Sequence, residues 1–187
     1  MQDYIKQAKK NGVELFEKGS CQFCGALVDN GIKECMEIFA HKLLLFDYNL
    51  PKISQTRFLI VDTHALQHSE IHGNASNILH LARLHLMLDK NVAWDYEKTP
   101  LLSKFLNQNK INGKIEALIP PPKLKRGQIT IKDVSLVKSA EQYLVLVHSW
   151  ADQVYNSWQF NLEMVSDFTD NFIKYLDIIK NQKPTKR

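Results

Sequence analysis

The sequence predicts a mainly α-helical bundle with an N-terminal cysteine-rich zinc knuckle and a long C-terminal helix or helix pair. Three observations predict it: apolar residues recur every three or four positions along most of the 187 residues, three cysteines fall within fifteen residues, and no glycine or proline interrupts the apolar period between Val147 and Ile179. We expect a single domain over residues 1–187, comprising the zinc knuckle (21–35), a helical core (36–113), a proline-containing connection (114–134), C-terminal helices (135–181) and a basic tail (182–187).

The N-terminal part predicts a short helix, a knuckle and a longer helix. Residues 3 to 11 can form the first helix, with Asp3 as its N-cap and Gly12 as its stop. The segment CQFCG suits a tight turn, and Asn30-Gly31 marks a second turn. From Ile32 onward apolar residues recur at helical spacing, which places Cys35 in the first turn of the next helix.

The middle of the chain predicts three further helices. Residues 58 to 72 carry an apolar face that Gly73 would end, although the letters FLIV at 58–61 also fit a short buried strand. Ser76 is the predicted cap of the next, buried helix, NILHLARLHLMLD. Thr99-Pro100 then predicts the start of a helix that closes near Gly113.

Beyond that helix, three consecutive prolines predict an irregular connection, with one short strand at Gln128 to Ile131. The last third is either one very long helix or two helices that meet near Trp158. Trp150 and Trp158 have helical spacing and apolar neighbours, so we expect them to pack in the core.

Composition and charge bound the class of protein. No apolar run approaches the roughly 20 residues of a membrane span, and the N-terminal residues lack the pattern of a secretory signal. Three clustered cysteines, an odd number, are typical of a protein in a reducing compartment, so we expect a cytoplasmic protein.

The net charge of +4 arises from the last eight residues, KNQKPTKR, because the remaining chain has 20 basic and 20 acidic residues. Nucleic-acid binding is therefore not favoured.

The cysteines predict a metal site. A C-x-x-C turn supplies two thiolates whose spacing allows both to reach one zinc ion, as Cys21 and Cys24 would, and Cys35 is a third candidate. His68 and His80 both fit as the fourth ligand, whereas His41 would point away from Cys35 along the helix. The competing interpretations are a redox pair at Cys21 and Cys24, a simply buried Cys35 and hydrogen-bonded core histidines. We expect the other histidines not to bind metal. Three histidines spaced four residues apart nevertheless fit a second metal site: His64, His68 and His72.

The chain also resembles an uncharacterised bacterial family, a domain of unknown function with a CxxCGA knuckle, a following cysteine and a VDxxALQH segment. The matching residues span roughly positions 21 to 90: Cys21, Cys24, Gly25, Ala26, Cys35, Val61, Asp62, Ala65, Leu66, Gln67, His68, Ser76, His80 and Leu81. His64 replaces an aromatic residue of the family and Ser69 replaces a proline. The resemblance favours Cys21, Cys24, Cys35 and His68 as a set of ligands, and implies no activity.

Three functions remain open from the sequence. The first is a zinc-binding protein whose metal is structural and which acts through a surface for a protein partner. The second is a metal-dependent, hydrolase-like enzyme with an open zinc site, in which Asp62 or Glu70 would be a base or would orient a ligand. The third is a nucleic-acid-binding accessory protein that uses the basic tail and three residues after the prolines: Lys123, Lys125 and Arg126.

Overall fold

The computed structural model describes residues 3–44, 51–111 and 116–182, and this part of the chain is mainly helical, as the sequence predicts. Two short 3₁₀ turns, Ser69–Ile71 and Gln159–Asn161, interrupt the helices. Eight α-helices are described: α1 (Asp3–Lys10), α2 (Gly31–Leu44), α3 (Pro51–Gln67), α4 (Asn74–Leu88), α5 (Lys98–Ile111), α6 (Ile131–Leu136), α7 (Ala140–Ser157) and α8 (Leu162–Gln182).

Helices α3, α4, α7 and α8 form the centre of the bundle. α3 packs against α4 and α7, and α4 also contacts α5, α7 and α8. α2 packs against the short helix α6, and α1 lies against the 3₁₀ turn that follows α3. The C-terminal end of α3 therefore lies between the N-terminal segments and the helical core. Large side chains with no more than 1% exposure fill this core, among them Leu66, Leu81, Tyr143, Trp150 and Trp158.

The described part of the chain contains no β-strand, so the strand predicted at Gln128 to Ile131 is wrong. Thr130 instead caps α6: its backbone N–H and its hydroxyl both donate to the Asp133 carboxylate at 2.8 Å. The letters FLIV at 58–61 lie within α3, so the helical interpretation of that segment is the correct one. Among the described residues, β-pairing is limited to one isolated bridge, between Gly19 and Asn30.

The starts of α4 and α5 differ from the predicted ones. α4 begins at Asn74 with Gly73 as its N-cap, which places Ser76 inside the first turn rather than at the cap. α5 begins at Lys98, one residue before the predicted cap, because the Asp95 carboxylate accepts a hydrogen bond from the Lys98 backbone N–H at 3.0 Å. The predicted end of α5 near Gly113 lies outside the described residues.

The last third of the chain is two helices, the second of the predicted alternatives. α7 ends at Ser157, and a 3₁₀ turn separates it from α8. Trp158 lies at the junction, is fully buried and donates its backbone N–H to the Tyr155 carbonyl at 3.0 Å. The Asn161 side chain bonds both backbone groups of Ile119, which ties the proline-containing connection to this junction.

Buried polar groups also fix the connection onto α3. The Gln67 side-chain amide donates to the carbonyls of Arg126 and Ile129 at 3.0 and 2.9 Å. The Arg126 guanidinium, only 2% exposed, donates to the Gln67 carbonyl and forms a salt bridge with Glu70. These hydrogen bonds satisfy backbone carbonyl groups of the connection and of α3.

Among the described helices, none combines the length and the apolar character that a membrane span requires.

Candidate metal centre

The knuckle around Cys21 and Cys24 is a tight hydrogen-bonded turn. The Gly25 N–H donates to the Cys21 carbonyl at 2.9 Å, and the Cys21 N–H donates to the Ala26 carbonyl at 2.9 Å. Gly25 adopts φ +79°, a left-handed conformation that suits glycine. The turn therefore brings both cysteines onto one side of the knuckle, toward the body of the protein, where both side chains are buried.

A second turn brings Cys35 to the knuckle. Gly31, the first residue of α2, has φ +54° and donates its N–H to the Gly19 carbonyl at 2.9 Å. The Glu34 carboxylate accepts hydrogen bonds from the backbone N–H groups of Asp29 and Asn30, which lowers the pKa of Glu34. α2 thus starts against the knuckle, and Cys35, one turn later, points back into it.

His68 approaches the three cysteines from the C-terminal end of α3. Its Nδ1–H donates to the His64 carbonyl at 2.7 Å. That bond fixes a proton on Nδ1 and directs Nε2 at the sulfurs, so Nε2 is the ring nitrogen available to a metal ion. The Phe23 ring stands edge-on to the His68 ring, with centroids 5.8 Å apart, and limits its rotation.

The four predicted residues come together in one buried cluster. Their donor atoms, the sulfurs of Cys21, Cys24 and Cys35 and Nε2 of His68, all lie within 4.8 Å of one another. Nε2 is 3.4 Å from the Cys21 sulfur and 3.5 Å from the Cys35 sulfur, and the Cys24 and Cys35 sulfurs are 3.8 Å apart. Exposure is 7% for Cys24 and 1% or less for the other three. This cluster can hold a metal ion.

The thiols and the imidazole of the cluster shift one another's pKa. Hydrogen bonds from Cys24 and Cys35 lower the pKa of the Cys21 thiol strongly, whereas hydrogen bonding to Cys21 and Cys24, together with burial, raises the pKa of Cys35. Burial opposes a charged His68 ring, but the Cys24 charge and bonds to the thiols outweigh it and raise the pKa of His68 to about 10. These shifts favour a Cys21 thiolate beside a charged His68 ring, and a divalent cation would take the place of that positive charge and allow further thiols to ionise.

His64 supports the cluster, and its place there was not predicted. Its ring lies between Phe39 and His68, stacked on both at centroid distances of 4.1 and 4.0 Å, and its Nε2 is 3.7 Å from the Cys35 sulfur. Burial holds the pKa of His64 well below its ordinary value, so the ring is neutral. Its position one helical turn before His68 was the available signal, because residues four apart share a helix face.

The remaining candidate residues lie outside this cluster. His80, the alternative fourth ligand, bonds Asp62 and Ser76 through its two ring nitrogens. His41 is exposed on α2. His72 packs against His80, with centroids 5.6 Å apart, rather than joining His64 and His68 in a second site. Among the described residues, Cys21, Cys24, Cys35 and His68 are the one group of this kind.

The fold and the site together define a class: a mainly helical protein with a buried cluster of three cysteines and one histidine that can hold a metal ion. A model of the Family of unknown function (DUF5946) matches residues 19–159, more than half of the chain. The chain therefore belongs to this family, in agreement with the resemblance seen in the sequence. Neither the curated proteins nor the solved structures include a significant match.

Proposed function

We propose that the protein binds one zinc ion at Cys21, Cys24, Cys35 and His68, and that the metal is structural. Zinc bonds of about 2.3 Å to sulfur and about 2.0 Å to nitrogen give tetrahedron edges of about 3.8 Å between two sulfurs and about 3.5 Å between sulfur and nitrogen. Three of the six separations between donor atoms, 3.8, 3.4 and 3.5 Å, match those edges, and all six are within 4.8 Å. This match is the observation that supports zinc most directly.

Burial favours a metal site over a redox pair. A reactive cysteine needs a solvent-accessible thiolate, and the exposure of Cys21 is 1% and that of Cys24 is 7%. A redox pair also has no need of a third thiol and an imidazole at ligand distance. Zinc prefers this donor set, since thiolate and imidazole ligands are those of structural Cys₃His sites.

The same geometry favours a structural ion over a catalytic one. Four protein donors complete a tetrahedron and leave no position for water, whereas catalytic zinc sites keep one position open. The two carboxylates considered as bases have other partners: Arg83 and His80 bond Asp62, and Arg126 bonds Glu70. The ion would instead join the knuckle, α2 and the C-terminal end of α3.

Nucleic-acid binding receives no support from the basic residues that follow the prolines. Arg126 is buried and paired with Glu70. The Lys123 ammonium lies over the Phe23 ring, 5.1 Å from its centroid. Lys123 and Lys125 are both exposed, but two lysines do not form a phosphate-binding face. The basic tail from residue 183 lies outside the described residues.

We propose that the partner surface is an acidic groove of about 500 Å³ at the start of α8. Phe160 is 84% exposed at its rim, and Phe105 and Phe168 form part of its aromatic wall. Its acidic residues, Glu116, Glu163 and Asp167, form no ion pair with any residue of the described ranges. Carboxylates without an ion-pair partner among the described residues, beside the exposed Phe160 ring, fit a partner helix that carries basic and apolar residues.

Metal content, measured by elemental mass spectrometry on purified variants, tests the zinc proposal. We expect close to one zinc per chain in the wild type, and its loss in Cys24→Ser, Cys35→Ala and His68→Ala. His80→Ala is the matched control and should retain zinc, because His80 lies outside the cluster. Retention of zinc in Cys35→Ala would indicate an open site, and a metal-free wild type would refute the proposal.

Removal of the ion distinguishes a structural role from a catalytic one. Structural zinc contributes directly to folding free energy, so a strong chelator should lower the midpoint of thermal unfolding and adding zinc back should restore it. Circular dichroism follows the transition. An unchanged midpoint in metal-depleted protein would contradict the structural role while leaving zinc binding intact.

A further inference from the structure

A second cluster of polar side chains lies on the other side of α3 from the cysteines. His80 Nδ1 is 2.7 Å from the Asp62 carboxylate, and His80 Nε2 is 3.1 Å from the Ser76 hydroxyl oxygen. Asp62 belongs to α3, and Ser76 and His80 lie one turn apart on the same face of α4. The order serine, imidazole, carboxylate is that of a nucleophile, a general base and the group that orients the base.

The bonds fix the state of each member. A carboxylate only accepts hydrogen bonds, so His80 donates from Nδ1 to Asp62, and the lone pair on Nε2 faces the Ser76 hydroxyl. Asp62 is fully buried and is held by the Arg83 guanidinium, which donates to both of its oxygens. Arg83 places a positive charge beside the buried carboxylate and fixes its orientation. The imidazole is thereby held in the tautomer that accepts a proton from a serine.

Ser76 opens onto a cavity of about 360 Å³. α1 and α2 contribute Tyr4, Gln7 and Met36 to its lining, as does Gly73, the N-cap of α4. Aspartate, glutamate, lysine and arginine are absent from the described residues that line it. The cavity therefore suits an uncharged group of modest size.

The start of α4 supplies donors next to Ser76. The first N–H groups of a helix have no carbonyl partner within it, and they carry the positive end of the helix dipole. Ser76 is the third residue of α4, and a helical side chain leans toward the N-terminus of its helix. A negatively charged oxygen that develops on a carbonyl bonded to Ser76 would lie near these N–H groups, which is how an oxyanion is stabilised.

From these contacts we infer that Ser76, His80 and Asp62 form a hydrolytic site for small uncharged esters. The Ser76 oxygen forms a bond to the carbonyl carbon while its proton moves to His80 Nε2, and the tetrahedral oxyanion then collapses. The bond to the leaving alcohol breaks, and the alcohol takes the proton from His80. Water then attacks the acyl-Ser76 ester in the same way: it gives a proton to His80, the bond to Ser76 breaks, and the Ser76 oxygen recovers the proton as the carboxylic acid leaves.

Covalent labelling of the full-length zinc-loaded protein tests the site without a variant. A fluorophosphonate probe reacts with an activated serine, and peptide mass spectrometry locates the adduct. We expect one adduct per chain, on Ser76. An adduct on another residue, or no adduct, would overturn the inference.

Hydrolysis of p-nitrophenyl acetate gives the second test. We expect Ser76→Ala and His80→Gln each to reduce kcat/KM by about 100-fold or more, the contribution typical of a general base and of the nucleophile it activates. Ser157→Ala is the matched control, because the Ser157 hydroxyl only bonds a carbonyl of its own helix. Circular dichroism and zinc content should be the same in all variants. A wild-type rate equal to that of Ser76→Ala would show that the hydrogen bonds are purely structural, and neither result depends on the role of zinc.

Discussion

At the scale of single residues, the structure explains why four side chains separated by up to 47 positions form one site. The His68 ring is fixed by its bond to the His64 carbonyl and by Phe23, and the three sulfurs surround its free nitrogen. Such fixed side chains bind a metal with little loss of conformational entropy. Direct contacts also fix two buried charged side chains elsewhere in the molecule. Arg126 forms a salt bridge with Glu70, and Arg83 forms one with Asp62.

His85 gives a prediction about pH. Its Nδ1 lies 2.6 Å from the Tyr155 hydroxyl, its ring is 4% exposed, and its environment also contains Asp89, Lys90 and Asp170. Burial is the largest effect and lowers the pKa of His85 below 6.5, so the unfolded chain binds more protons below pH 6.5. The contribution of His85 to stability is present above that pH and is lost as the pH falls.

We expect His85→Gln to make the free energy of unfolding less dependent on pH below about 6.5, by up to about 1.4 kcal/mol per pH unit relative to wild type. Urea unfolding between pH 5 and 8 measures the difference, and His148→Gln, on an accessible part of α7, is the control. Parallel pH profiles for wild type and His85→Gln would contradict the prediction.

At the scale of elements, the sequence predicts helices well where the apolar period is long. α4 and the pair α7 and α8 follow directly from that period. The ends of helices were predicted less well, because Gly73 and Asp95 cap through contacts and backbone geometry that several nearby polar residues could equally provide. The strand expected at Gln128 to Ile131 was wrong because no neighbouring strand exists in the described residues to pair with it.

Gly31 tests the link between α2 and the knuckle. A Cβ atom at this position would lie 2.2 Å from the Phe16 carbonyl oxygen, in addition to the strain of a positive φ. Gly12 is the matched control: it also has a positive φ, but a Cβ there would meet no atom within 4 Å. Strain alone costs about 1 to 3 kcal/mol.

We therefore expect Gly31→Ala to lower the free energy of unfolding by more than Gly12→Ala does, and to reduce the zinc content because Cys35 moves away from Cys21 and Cys24. Guanidinium unfolding and elemental analysis measure both effects. Equal destabilisation of the two variants, with full zinc content, would contradict the account of this turn.

At the scale of the whole molecule, the tertiary contacts decide which predicted residues act together. Helical spacing alone admits both His68 and His80 as the fourth ligand, and the family resemblance favours His68. The packing of the C-terminal end of α3 against the knuckle, with His80 on α4, separates their environments. The contact between Arg126 and Glu70 joins residues 56 positions apart. No periodicity or motif indicates such a pair, so sequence reasoning could not predict it.

The acidic groove gives a prediction at this scale. A fluorescent amphipathic peptide of lysine and leucine should bind, and charge reversal in Glu163→Lys/Asp167→Lys should weaken binding by about tenfold or more, the equivalent of about 1.4 kcal/mol. Glu141→Lys/Asp152→Lys reverses two exposed charges on α7 and is the matched control. Fluorescence anisotropy measures the affinity. Equal affinity for the two double variants, or no binding by the wild type, would exclude the groove as a site for basic partners.

We propose above all a closed zinc site with three sulfur ligands and one nitrogen ligand. X-ray absorption at the zinc edge of the purified protein measures the number, type and distance of the ligands directly. We expect three sulfur atoms at about 2.3 Å and one imidazole nitrogen at about 2.0 Å. A coordinated oxygen in place of a sulfur or nitrogen, or protein that contains no zinc, would contradict it.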